Sequence, residues 1–129
     1  MQKRAAVRFR FVASTPTEAR AELESFLSGH GCESEFVDHA LICVSELIAN
    51  AVQHGSPDDE GHMHVEWGLD EGRLIVSVRD AGEGTAIAAG LASVDDTSGR
   101  GLQIIDRLAA TWRVDRTNGT CVSVELLIA

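Results

Sequence analysis

The sequence predicts a single α+β domain over residues 1–129: a two-layer α/β sandwich in which a mixed, mostly antiparallel sheet carries helices on one face. Three observations lead to this prediction. Segments with alternating apolar residues occur in pairs that are joined by short glycine turns. Longer segments between them have apolar residues at helical spacing. With 129 residues, of which 44% are apolar and 24% charged, the chain can bury one real core.

The first half of the chain predicts a strand followed by two helices. Apolar residues alternate with arginines over 7–11, which is typical of a strand. Thr15 is placed as the N-cap of a first helix, with Pro16 at the first helical position, and this helix is expected to end near 29–31. A second helix is expected from about 34 to 54, and the residues after it form an acidic loop.

After the acidic loop, the apolar residues recur with a period of two, which is typical of strands. Strands are expected near 63–69 and 74–80, joined by the turn Asp70-Glu71-Gly72. A glycine-rich segment precedes a third helix that includes 102–108. Two further strands, near 112–114 and 122–128, are joined by the hairpin dipeptide Asn118-Gly119.

Composition excludes several classes of function. The net charge of -9 is unlike that of a protein that binds nucleic acid directly, since such proteins carry basic patches. The chain has no apolar run of the roughly 20 residues that span a bilayer, and its N-terminal residues lack the apolar core of a signal peptide. The three cysteines are an odd number without metal-ligand spacing, which indicates reduced thiols in a cytoplasm.

The second helix contains the stretch ELIANAVQHG, in which Glu46, Asn50 and His54 are four residues apart and so are neighbours on one surface. A solvated polar face is one interpretation. Asparagine is a mediocre residue in mid-helix, however, whereas its amide oxygen can bind Mg²⁺ and a nearby carboxylate can accept a proton. The opposite arc is expected to face the core: Val37, Leu41, Val44, Ile48, Ala51 and Val52.

Two glycine clusters follow. Asp80 ends a predicted strand in the sequence DAGEG, where a carboxylate can accept a hydrogen bond from an exocyclic amine, and Gly82 and Gly84 let a planar ligand approach the backbone. The alternative is a plain turn.

The second cluster, SGRGL, opens the third helix, where free N–H groups and Arg100 form an anion site. The alternative there is a flexible helix entry with Ser98 as its N-cap.

Three other groups are weaker candidates on chemical grounds. His62 and His64 lie on one side of a strand, but no third metal ligand has helpful spacing. Cys43 has no partner base and fits a small buried thiol. Ser45 has no histidine-carboxylate pair to activate it.

In this order, ELIANAVQHG, DAGEG and SGRGLQIID resemble the N-box and the two glycine boxes of the GHKL ATPase/kinase superfamily, which has the Bergerat fold. The resemblance covers nearly the whole chain. The N-terminal strand, the paired helices and the closing NGTCVSVELLIA are most similar to the small anti-sigma-factor serine/threonine kinases of bacterial partner-switching systems.

The resemblance implies a Mg²⁺·ATP site along the second helix. Asn50 would hold the metal, Glu46 would be the general base, and Asp80 would bind the adenine amine. Gly82 and Gly84 would shape the adenine pocket, and residues 85–98 would form a lid. The residues at the phosphates would be Gly99, Arg100, Gly101 and Leu102.

The resemblance also implies a function. The protein would phosphorylate an anti-anti-sigma protein of the STAS type, bind a sigma factor and form a homodimer. The alternative is a binding module of the same fold with weak or no ATP turnover. The short lid favours that alternative, because TAIAAGLASVDDTS has no Lys or Arg. The acidic residues 58–60 would add negative charge near the phosphates if their loop faces the site.

Overall fold

The fold is given by a computed structural model that describes residues 3–82 and 97–128, with 97–102 described as backbone only. Its elements follow the predicted order: β1 (Arg4–Arg10), α1 (Thr15–Gly29), α2 (Ser34–His54), β2 (His62–Asp70), β3 (Arg73–Asp80), α3 (Thr97–Leu108), β4 (Thr111–Asp115) and β5 (Thr120–Leu127). None of the helices in this described part is long and apolar enough to cross a membrane.

The strands form one five-stranded sheet in the order β1-β2-β3-β5-β4, and all four pairings among the described strands are antiparallel. The predicted two-layer sandwich is confirmed. The β2–β3 hairpin closes as expected, with Asp70 opposite Arg73 and the two turn residues at positive φ: 46° for Glu71 and 79° for Gly72. Two residues at positive φ match the right-handed twist of the strands that they connect.

The core lies between the helices and one face of the sheet, because strand side chains alternate between the two faces. Val65, Val76 and Val124 point to the helices from three adjacent strands and are fully buried. Ile48 of α2 and Leu23 of α1 are also fully buried in this core. The other face of the sheet is open and carries mostly polar and charged side chains.

The buried surface of α2 is wider than its helical wheel predicted. Leu41 and Val52 are only partly buried, whereas Ala40, Cys43 and Leu47 are buried. The reason is tertiary: α2 packs against α1 on one side, α3 on the other and β3 beneath. A helix with neighbours on three sides buries more than the arc that faces the sheet.

The start of α1 also differs from the prediction. Ser14, not Thr15, is the N-cap, and it makes no capping hydrogen bond through its side chain. The Thr15 hydroxyl donates instead to the backbone carbonyl of Arg10 and accepts from the Val12 N–H at 3.4 Å. Thr15 is buried and thus joins the end of β1 to the first turn of α1.

Two isoleucines of α2 test the packing. Ile48→Ala is expected to lower the free energy of unfolding by about 2–5 kcal/mol, because the buried cavity cannot fully collapse. Ile42→Ala makes the same change on the same helix at a side chain that is 42% exposed, and is expected to cost less than about 1 kcal/mol. Urea denaturation of both variants measures this difference, and equal losses would contradict the orientation of α2.

Candidate functional site

The C-terminal end of α2 meets the end of β3 at Asp80, which is 4% exposed. Glycines make this close approach possible. A Cβ atom at Gly55, the residue that ends α2, would lie 2.5 Å from the Asp80 carboxyl carbon. A Cβ atom at Gly82 would lie 2.9 Å from Asp80 Oδ1 and 3.0 Å from the Ser56 nitrogen. Larger residues at these two positions would therefore displace the carboxylate.

Backbone groups hold one oxygen of this carboxylate. The N–H of Gly82 donates to Asp80 Oδ1 at 2.6 Å, and the N–H of Ser56 donates to the same atom at 3.3 Å. The Ala81 N–H donates to the Ser56 carbonyl at 2.8 Å, which fastens the two segments together. Within the described residues, Asp80 Oδ2 receives no hydrogen bond, so it can accept one from a ligand.

Burial dominates the electrostatics of Asp80. Desolvation raises the pKa of this carboxyl above its usual range, and the N–H donors of Gly82 and Ser56 oppose the rise. A buried carboxylate with an oxygen that lacks a protein partner lowers the stability of the folded protein when no ligand is bound. Such a group is typical of a site that recognises a donor on a ligand.

The last hairpin closes this cradle from the other side. Thr120 lies opposite Asp80 in the β3–β5 register, is fully buried, and donates through its hydroxyl to the Gly82 carbonyl at 2.9 Å. Gly119 has φ +74°, and a Cβ atom there would collide with the Asp80 carbonyl oxygen. Local sequence signals predict Gly119 only as a turn residue and place Gly55 only after the expected end of α2, and they do not mark Ser56 or Thr120 as part of a site.

Asn50 and Glu46 lie one turn apart on α2. Both residues precede Gly55, which ends that helix. The solvated-face interpretation is wrong for Asn50, which is 6% exposed, although Gln53 is exposed. Asn50 Nδ2 donates to the Glu46 carbonyl at 2.9 Å. This bond fixes the amide and directs Oδ1, which has no partner among the described residues, away from that carbonyl.

The Glu46 side chain is half-buried, so it keeps contact with solvent. The pKa of the Cys43 thiol is raised to about 11, mainly by burial and secondly by the negative charge of the Glu46 carboxylate. Cys43 is fully buried, as the sequence indicated, and is an inert thiol rather than a nucleophile.

The second glycine cluster lies in the first turns of α3, which packs against α2. The helix begins at Thr97, so Ser98 is inside it and is not its N-cap. Residues Gly99, Arg100, Gly101 and Leu102 therefore belong to a helix that packs against α2. Gly84 and residues 85–96 of the expected lid are outside the described residues, and the roles predicted for both clusters remain predictions.

The acidic loop after α2 is turned towards β1 and β2. Asp58 Oδ1 accepts from the N–H groups of Glu60 and His62 at 2.9 Å each, and Asp58 Oδ2 lies 3.2 Å from His64 Nε2. These bonds lower the pKa of Asp58 below its usual range, the His62 N–H contributing most. Glu60 pairs with Arg8 at 3.4 Å. Two of the three loop carboxylates therefore have cationic or polar partners of their own.

His64 consequently serves as a partner of Asp58. The described residues contain no group of three His, Cys, Asp or Glu side chains that could hold a metal ion.

The sequence of this chain matches that of a known protein family. The family model of the histidine kinase-like ATPase domain matches residues 12–126. The chain belongs to this family. The matched range includes both helices of the first half, the Asp80 cradle and the closing hairpin.

Proteins that are similar to this chain indicate the anti-sigma kinase type within the family. The chain is 32% identical to "Serine-protein kinase RsbW" of Bacillus licheniformis over 81% of this chain and 73% of that protein. Its fold is similar to a Mycobacterium tuberculosis chain with RsbU and RsbW domains, at 20% identity and a TM-score of 0.73. The match covers 96% of this chain but 32% of that one.

A second structural neighbour is the SiaB–SiaC complex of Pseudomonas aeruginosa. The identity is 16%, the TM-score is 0.66, and the match covers 98% of this chain and 90% of the other. At these identities the structural matches show the fold, which is that of the GHKL ATPases.

Gly55 provides a direct test of the cradle. Gly55→Ala should push the Asp80 carboxylate away from its backbone donors and lower the free energy of unfolding by about 1–3 kcal/mol, as overpacking does. The matched control is Gly29→Ala at the end of α1, where a Cβ atom meets nothing within 4 Å and the change should be no more than about 1 kcal/mol. Equal effects in chemical denaturation would contradict the close contact.

The raised pKa of Asp80 predicts a pH dependence. The folded protein holds this proton more tightly than the unfolded chain, so the contribution of Asp80 to stability falls as pH rises from the ordinary aspartate value of about 3.9 through the raised value. Asp80→Asn removes that contribution. The free energy of unfolding of the variant minus that of the unaltered protein should therefore increase with pH and then level off.

The measurement is urea unfolding of both proteins without nucleotide between about pH 3.5 and about pH 7. Contributions of other carboxylates cancel in the difference. A difference that stays constant, or decreases with pH, would show that Asp80 is not desolvated.

Proposed function

We propose that this protein is a Mg²⁺·ATP-dependent serine/threonine protein kinase whose adenine pocket is the Asp80 cradle. The observation that carries the proposal is the buried Asp80 carboxylate, with Oδ1 held by two N–H groups and Oδ2 without a partner in the described chain. A fixed acceptor at the bottom of a glycine-lined cradle suits the exocyclic amine of adenine and not the carbonyl of guanine.

The geometry of α2 supports a nucleotide along its polar side. At 1.5 Å per residue, Asn50 lies about 7.5 Å and Glu46 about 13.5 Å from Gly55 along the helix axis. With its base at Asp80, ATP would extend its phosphates towards Asn50. Asn50 Oδ1, which has no partner among residues 3–82 and 97–128, fits a ligand of Mg²⁺, which prefers oxygen donors and would neutralise phosphate charge when bound. Gly82, Gly84, Gly99, Arg100, Gly101 and Leu102 would complete the site.

Glu46 lies one turn beyond Asn50, where the γ-phosphate would be. It would take the proton of a serine or threonine hydroxyl as the hydroxyl oxygen forms its bond to the γ-phosphorus and the bond from that phosphorus to ADP breaks. Its half-buried position leaves it open to a proton donor from a second protein. The catalytic contribution of the chain would otherwise be positioning.

The similarity to RsbW supports the choice of partners. The substrate would be a STAS-type anti-anti-sigma protein, and a sigma factor would be held by the unoccupied kinase, which would act in the cytoplasm as a homodimer to regulate transcription. The competing function is a binding module without turnover. The sequence of the lid favours that candidate, because it has two aspartates and no Lys or Arg to hold a phosphate.

Substitutions at the two ends of the site should have separable effects. Asn50→Ala is expected to remove the Mg²⁺ dependence of ATP binding and to leave the preference for ATP over GTP. Asp80→Asn is expected to weaken ATP and to blunt that preference, because the amide presents a donor in place of an acceptor. Calorimetry with each nucleotide, with and without Mg²⁺, measures both effects. An unaltered protein that binds no nucleotide at millimolar ATP with Mg²⁺ would contradict the site.

Glu46→Gln separates binding from chemistry. The variant keeps the size and helix propensity of the residue but loses the basic carboxylate, so ATP affinity should change only a few-fold while phosphoryl transfer falls by about 10²–10⁴. Transfer to purified STAS-domain proteins from the same genome, with labelled ATP, is the assay. If variant and unaltered protein transfer equally fast, Glu46 is not the base; if neither transfers, the binding-module function is favoured.

A further inference from the structure

A groove of about 650 Å³ runs between α1 and α2 on the outside of the helical layer. It opens next to the proposed catalytic centre, because Glu46 forms part of its wall. Residues from α1, including Arg20 and Glu24, form the opposite wall.

The groove combines an apolar contact with unused polar groups. Ile42 lies in it and is 42% exposed, so its side chain offers an apolar contact to a partner. Ser45 also lines the groove, but its hydroxyl oxygen is buried and is not open to a partner. Asp38 and Glu24 stand at the rim, and neither forms an ion pair with another described residue.

Charge is distributed unequally between the two layers of the fold. Helices α1 and α2 carry six carboxylates and one arginine, Arg20, for a net charge of -5. The carboxylates are Glu18, Glu22, Glu24, Glu35, Asp38 and Glu46.

The open face of the sheet has the reverse balance. Six of the ten arginines of the chain lie on it: Arg4, Arg8, Arg10, Arg73, Arg79 and Arg113. Four carboxylates accompany them: Glu66, Asp70, Asp115 and Glu125. The surface formed by α1 and α2 is thus acidic, and it attracts a cationic partner.

We propose that this groove docks the segment of the substrate protein that carries the acceptor hydroxyl, and that this segment is basic, with an apolar side chain that packs on Ile42. The proposal rests on the proposed kinase function. Its acceptor hydroxyl would lie at Glu46, and its Lys or Arg residues would face Glu24 and Asp38. Opposite charge across the interface would speed association and fix the register of the segment.

Three variants test the site. Asp38→Lys reverses a rim charge, Ile42→Ala removes the apolar contact, and Glu66→Lys makes a matched charge reversal on the open face of the sheet as control. Glu66 is exposed and has no described ion pair. The assay is transfer from ATP to purified STAS-domain proteins encoded in the same genome, with KM for the protein substrate, kcat, and the ATP dissociation constant measured for each variant.

We expect Asp38→Lys and Ile42→Ala each to raise KM for the protein by about three- to tenfold, and Asp38→Lys also to reduce the dependence of KM on salt. The values of kcat and the ATP dissociation constant should not change, and Glu66→Lys should behave as the unaltered protein. Replacing Lys or Arg residues that flank the acceptor in the substrate by Glu should raise KM to a similar extent. Thermal unfolding confirms that each variant is folded.

The outcomes distinguish the two levels of proposal. Transfer with unchanged KM in both groove variants would overturn the docking site and leave the kinase function standing. Failure of the unaltered protein to bind ATP would overturn the kinase function and the docking site with it. A change of oligomeric state in Ile42→Ala, measured by sedimentation, would place a second copy of the chain in the groove and overturn its assignment to the substrate.

Discussion

The contact between the end of α2 and the carboxylate of Asp80 is the constraint from which the rest of the site follows. Burying a carboxylate costs free energy, and this fold offsets the cost with two N–H donors that both reach Oδ1. They can do so only because Gly55 and Gly82 have no side chains in the way. The end of α2 is thereby held against β3, and the polar residues further along that helix take fixed positions.

Helix α2 contributes both to the core and to the candidate site. Its buried residues pack on α1, α3 and the sheet, while Glu46 remains partly open to solvent and Asn50 is buried with its amide held by the carbonyl of Glu46. A side chain held in this way has lost its rotamer freedom before any ligand binds, which lowers the entropic cost of binding. The same helix also forms one wall of the outer groove, so Glu46 borders both the groove and the proposed nucleotide site.

Local chemistry was enough to predict much of this. The bounds of α2, both hairpins and the position of Asp80 at a strand end follow from periodicity and turn residues, and those features are short in range. Features created by distant segments could not be derived. Thr120 reaches Gly82 only through the β3–β5 register, and Gly119 packs on Asp80 although 39 positions separate them in the sequence. The burial of Asn50 likewise depends on tertiary packing, since α2 lies against α1, α3 and β3, and no helical wheel includes these neighbours.

The central claim, that base and phosphates of one nucleotide lie along α2, is tested most directly by nuclear magnetic resonance of ¹⁵N-labelled protein titrated with ADP and with Mg²⁺·ATP. The account predicts that the backbone amides of Ser56 and Gly82 shift with either nucleotide, and that the side-chain amide of Asn50 shifts strongly only when Mg²⁺ is present. Residues of the open sheet face, such as Glu66 and Ser77, should not shift. Shifts confined to that face, with Ser56, Gly82 and Asn50 unchanged, would contradict the account.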